Sequence, residues 1–218
     1  VKYLKYISET MVCIMRKVME HYIADEDYRE LFGFSSHLKE LILNVPKYTN
    51  LLPVARVDIF LNEDDGSFQF CEFNTDGSSA MNEDRELFLA FERTQLYEAL
   101  SQDYDIEGFE LFDSLVEAFG DIYKTYQYKK ENPTVGIVDF LELGCSMEEF
   151  EQFRLSFEKA GYRAKICDIR EMTFDGQHLI DKDGDFIDIV YRRAVTSDIL
   201  EHEKFVKPFL QAVALHKV

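Results

Sequence analysis

A strand, a helix and a second strand follow one another between residues 134 and 169, and this unit constrains the fold more than any other stretch. "NPTVGIVDF" is a short apolar run behind Pro133. "SMEEFEQFRLSFEKAGY" offers Ser146 as N-cap with Glu149 three positions on, the spacing of a capping box, and it ends at Gly161. "RAKICDI" is the next β-rich run. Two strands joined through one helix predict parallel neighbours with a right-handed crossover. "HLIDKDGDFIDIVYRR" adds a hairpin and a strand that ends in Tyr191, Arg192 and Arg193. That double arginine reads either as a solvated strand end or as a functional pair.

The segment before this unit reads as mostly helical. Leu4, Ile7, Met11, Ile14, Met15 and Val18 recur at helical spacing over residues 1–23 and are expected to be core contacts. A short helix is expected near residues 27–32. Another should run from Ser36 to Leu43, capped by Ser35 or Ser36. Pro46 and "KYTNLLP" make a loop. Residues 83–100 predict one helix with Leu87, Phe88, Phe91 and Leu96 on its apolar side, and a further helix begins at Phe112. The fold class expected is mixed α/β, with a helical layer around a sheet that contains a β-hairpin. The organisation expected is a helix-rich region over 1–131, a small α/β subdomain over 132–195, and the start of a further part over 196–218.

Charge excludes some functions. The formal net charge is −18 and the pI is near 4.6, so the basic footprint of a nucleic-acid binder is missing. No apolar run is long enough to span a membrane, and "VKYLKYISET" lacks the apolar stretch of a signal peptide. Cys13, Cys71, Cys145 and Cys167 form no CxxC pair, which reads as free thiols, Cys13 among them in the core, in a reducing cytoplasm. His21, His37, His178, His202 and His216 are dispersed, without metal spacing. The apolar last residues, "QAVALHKV", suggest a chain cut from something longer.

The hairpin signature at residues 54–74 carries the chemistry. "VARVDIFL" and "SFQFCEF" flank the turn "NEDDG". Residues two apart share a face of a strand, so Arg56 goes with Asp58, and Glu72 with Asn74. A three-residue loop at 64–66, with Gly66 left-handed, pairs Asp58 with Glu72 and Arg56 with Asn74. A two-residue loop would slide the register by one and separate the pairs onto opposite faces. The first register gathers all four polar residues and leaves Val57, Ile59, Leu61, Cys71 and Phe73 on the other side. Directly opposed carboxylates repel. Two carboxylates and an amide oxygen suit Mg²⁺, which keeps positions for water and phosphate, and an arginine beside them can hold a phosphate in its fork. The same four residues also read as a polar cross-strand network in which Arg56 neutralises Asp58.

"ARVDIFL…FCEFNTDGSSAMNE" resembles the R-x-D…E-x-N segment of the glutathionylspermidine synthase-like family, permuted ATP-grasp ligases, and "GDFIDIVYRRAV" resembles a later segment of the same group. The resemblance implies a pre-ATP-grasp, Rossmann-like subdomain and an ATP- and Mg²⁺-dependent ligase that joins a carboxylate to an amine through an acyl phosphate. It implies Asp58, Glu72 and Asn74 as Mg²⁺ ligands and Arg56 as the catalytic and nucleotide-contacting arginine. Ser78 and Ser79 become contacts for a peptide substrate such as a glutathione-like carboxylate. The lysines and glycine-rich loop that hold ATP in this family have no counterpart after Arg193, so this chain is expected to be an N-terminal portion, inactive alone. A non-catalytic binding module, or a degenerate ligase that has lost its substrate, stays open beside this reading.

Overall fold

The computed structural model describes every residue except Val1, Lys47, Thr49 and Leu143. Lys47 and Thr49 belong to the loop expected after residue 46 and lie outside the described residues. The chain is mixed α/β and divides into two compact units, Val1–Thr75 and Asp76–Val218.

The first unit contains α1 (Lys2–Ala24), α2 (Glu26–Glu30), α3 (Ser36–Leu43) and an antiparallel hairpin of β1 (Arg56–Leu61) and β2 (Phe68–Asn74). Two of the helices start where a side-chain oxygen meets an otherwise free N–H. Asp25 accepts from Tyr28 N at 3.0 Å, and Ser35 accepts from Leu38 N at 3.2 Å. The apolar stripe of α1 is less covered than its spacing predicts. Ile7 is buried, but Leu4 and Ile14 are exposed, and so is Cys13, expected in the core. Ile7 and Tyr22 are the fully buried apolar side chains among the described residues of this unit, too few to cover a stripe along 23 residues.

The second unit opens with α4 (Met81–Phe91) and α5 (Gln95–Leu100), where the sequence predicts one helix. The break has a local cause. Thr94 leaves the helical conformation at φ −93, ψ 152 and accepts from Tyr97 N at 3.1 Å, so it caps a new helix. Phe88, Phe91 and Tyr97 then meet edge to face across the break, while Leu87 and Leu96 stay exposed.

Next come α6 (Phe112–Thr125), β3 (Thr134–Asp139), α7 (Met147–Lys159) and β4 (Arg163–Asp168). The short strands β5 (Thr173–Phe174), β6 (Leu179–Ile180) and β7 (Phe186–Ile187) form an antiparallel sheet. β8 (Ile189–Arg192), α8 (Thr196–Glu201) and α9 (Lys207–Ala214) follow. β3 lies between β4 and β8 and is parallel to both, with Val135 beside Ala164 and Ile137 beside Ile166. The parallel neighbours expected from the strand–helix–strand unit are therefore present. Gly161 ends α7 at φ +92.

Alternation along β3 divides the core. Ile137 lies beside Tyr191, whose ring meets Phe153 of α7 and Phe119 of α6. Val138 points the other way, into a cluster with Phe140, Ile169, Leu179, Ile187 and Phe209. The boundary expected at 132 falls inside this unit: α6 sits on α7 through Phe112 against Phe153 and Phe119 against Phe157. No helix among the described residues is long and apolar enough to cross a membrane.

Candidate functional site

The hairpin brings together the four residues that the sequence pairs. Arg56 stands opposite Asn74, Val57 opposite Phe73 and Asp58 opposite Glu72. Closer to the turn the register changes: Ile59 meets Phe70 and Leu61 meets Phe68, so Cys71 is an extra residue in β2. This bulge corrects the expected loop. Residues 63–66 form a four-residue turn, closed by Asn62 N to Ser67 O at 2.8 Å and Gly66 N to Asn62 O at 2.9 Å, with Gly66 at φ +73. The turn alone would set the two polar pairs on different faces. The bulge restores the match, since one inserted residue reverses which side every later side chain takes. It also moves Phe68 and Phe70 onto the face of Val57, Ile59 and Leu61, and leaves Cys71 exposed rather than inward.

On the polar face, Arg56 holds Asp58 with two bonds, Nε to Oδ1 at 2.8 Å and Nη2 to Oδ2 at 3.0 Å. The same Nη2 reaches Glu72 Oε1 at 3.4 Å, and Asn74 Nδ2 donates to that oxygen at 2.9 Å. The guanidinium thus lies between two carboxylates that would otherwise repel. Its bonds hold the Asp58 carboxyl below its ordinary range against the upward push of burial, and Asp58 in turn raises Arg56.

Asp58 and Glu72 carry carboxylate oxygens, and Asn74 an amide oxygen, of the kind that could hold a hard divalent cation. The Glu72 side chain is 54% exposed, so water and ligand oxygens have access to complete a six-coordinate shell. Two carboxylates and one amide are short of a full cage. Among the described residues no group of three or more His, Cys, Asp or Glu side chains is placed to hold a metal ion.

Ser78 and Ser79 belong to the second unit. Ser79 is exposed and Ser78 is buried. The loop that carries them is fastened to the end of β8. Asp76 receives Arg192 Nη1 at 2.8 Å and Thr196 N at 2.9 Å, and Ser78 O accepts from Arg193 Nη1. Gly77, at φ +68, lies so close that a Cβ there would stand 2.8 Å from Arg193 O. Arg193 is buried, so its half of the double arginine is not a solvated strand end. Burial pushes the Asp76 carboxyl up, but Arg192 and the Thr196 N–H outweigh it, and the group titrates below its ordinary range.

The spacing from Ser146 predicts Glu149 as the second half of a capping box. Ser146 does cap α7, accepting from Glu149 N at 3.4 Å. The Glu149 carboxylate turns away instead, accepting from Met81 N at 2.9 Å and from Arg193 Nη2 at 3.1 Å. Nothing in the local sequence signals that pairing. A separate cleft of about 510 Å³ lies between α4, α7 and the approach to α6, lined by Phe88, Phe109, Phe112 and Lys159, and contains none of the expected site residues.

No family model matches the chain, and no curated protein matches it.

Proposed function

We propose that the chain is part of an ATP- and Mg²⁺-dependent carboxylate–amine ligase of the cytoplasm, similar to the glutathionylspermidine synthase-like family. In this reading the parallel β4–β3–β8 sheet with α7 is the Rossmann-like, pre-ATP-grasp subdomain. The observation that carries the reading is the pairing of Asp58 with Glu72 and of Arg56 with Asn74 on one accessible face of the hairpin.

Asp58, Glu72 and Asn74 are the residues that would hold the cation, which supplies positive charge against phosphate oxygens. Arg56 swings from Asp58 to the phosphate, presenting the planar fork it already uses on the carboxylate. The substrate carboxylate oxygen bonds to the γ-phosphorus as the bond to ADP breaks, giving an acyl phosphate. The amine nitrogen then bonds to the acyl carbon, phosphate departs, and the nitrogen loses a proton. Charge grows on oxygen in both steps, where Arg56 stabilises it. Ser78 and Ser79 are proposed contacts for a peptide-like carboxylate substrate such as glutathione, and the amine is the second substrate.

The test is ATP turnover by the intact parent protein with Mg²⁺, a thiol peptide and an amine. Glu72→Ala should lower turnover by about 10²-fold or more with an unchanged unfolding temperature, while this 218-residue piece alone should form no amide. Equal turnover in parent and variant would refute the assignment. The two-bond grip of Arg56 on Asp58 favours a second reading, a neutralised polar face on a non-catalytic binding module or degenerate ligase. That reading expects no turnover in the parent at all.

A further inference from the structure

The first turn of α4 lacks a cap of its own. Its N-cap position is Ala80, which offers no oxygen and sits in the left-handed region at φ +82. Four N–H groups at a helix start need acceptors, and the dipole there favours an anion. Glu149 supplies it from 68 residues away: Oε1 accepts from Met81 N at 2.9 Å and Asn82 N at 3.4 Å. Its other oxygen meets Arg193 at 3.1 Å, and the two side chains are 0% and 5% exposed. Arg193 lies 5.5 to 5.8 Å from the ring centres of Tyr191, Phe153 and Phe150 and binds the carbonyl of Ser78. One carboxylate therefore joins three elements: α7, the start of α4 and the end of β8.

We propose that Glu149 acts as an internal anionic ligand and a positioning residue. Its carboxylate fills an anion site made by the α4 N-terminus and Arg193, and by filling it fixes residues 76–82 in one conformation. The main alternative is that Glu149 merely fills core volume beneath α4. A buried charge with a buried partner argues against that, because apolar side chains fill volume without desolvation. The glycine at 77 agrees with a fastened loop, since a side chain there would push it off Arg193. This inference does not depend on the ligase reading.

The experiment is amide hydrogen exchange on the whole chain, wild type against Glu149→Ala, with formate added as a small carboxylate. In the variant, exchange across residues 77–83 should quicken by about tenfold or more, the scale of one charged hydrogen bond, while β3 and β4 keep their protection. Formate at tens of millimolar should restore slow exchange in residues 77–83, and chloride at equal ionic strength should not. If Glu149→Ala unfolds throughout, the neutral pair Glu149→Met with Arg193→Met decides. A folded double variant with a fast-exchanging loop supports the proposal. Undisturbed loop protection in any folded variant overturns it. So does a loosened loop that ignores formate in Glu149→Ala, or a double variant that does not fold, because the pair is assigned a local task.

Discussion

Replacing Lys165 by methionine should weaken the second unit in a way that depends on pH. The ammonium sits among Asp181, Asp183 and Asp185, contacting the first and lying 3.0 and 2.6 Å from the other two. Asp181 is the sensitive partner, since its side chain is 3% exposed. Burial pushes the Asp181 carboxyl up, but Lys165 and the N–H groups of Asp185 and Asp183 pull it below its ordinary 3.8. Burial likewise draws Lys165 down, and the three carboxylates together raise it. Methionine keeps most of the stem and removes the charge. Breaking a buried pair from one side costs about 3–5 kcal/mol. Lys165 is 26% exposed and Asp181 keeps two backbone N–H bonds, so the cost falls below that range, to about 2 kcal/mol. At about 2–4 °C per kcal/mol, the unfolding temperature should fall by about 4–8 °C at neutral pH. A depressed carboxylate contributes its stability above its unfolded value and loses it as pH falls through the folded one. The gap between wild type and Lys165→Met should thus be full from pH 6 to 8 and close below about pH 4. Thermal unfolding followed by circular dichroism from pH 3 to 8 measures both. A gap that persists unchanged at pH 3, or none at pH 7, would mean that Lys165 does not stabilise the Asp181 carboxylate.

Ala80→Gly should stabilise the chain by about 0.5–1 kcal/mol, because glycine accepts φ +82 without the Cβ strain, and urea unfolding would register it. A thiol reagent at pH 8 should label Cys13 and Cys71 first and Cys167 last, since burial pushes the Cys167 thiol up to about 12; mass spectrometry of the early products gives the order. Phe153→Ala should destabilise by about 3–5 kcal/mol in the same unfolding assay, as its ring is fully buried against Phe112 and Tyr191.

What the sequence revealed depended on how local its cause was. The strand–helix–strand unit was legible because its signals lie within each element: a cap at Ser146, a stop at Gly161, and apolar runs on either side. The pairing of Asp58 with Glu72 was also legible, though the turn differs from the one expected. Gly66 fits several loops, and no residue type announces the bulge at Cys71 that brings the pairs back into line. The break at Thr94 has a readable cap, but helical spacing continues across it and hides it. The exposed stripe of α1 is a matter of how few layers face it, and periodicity reports only that a stripe exists. Glu149 and Arg193 are hidden for another reason. They are 44 residues apart, and each has a plausible local role that the fold overrides.

In the proposed ligase the polar face of the hairpin takes a divalent cation. Mn²⁺ added in substoichiometric amounts to isotopically labelled protein tests it through paramagnetic broadening of amide resonances. Broadening should centre on residues 56–58 and 72–74, reverse with excess Mg²⁺ and disappear in Asp58→Asn combined with Glu72→Gln. Broadening centred on the acidic turn at residues 181–185, or broadening at the hairpin that survives in that double variant, would rule out a cation held by Asp58 and Glu72.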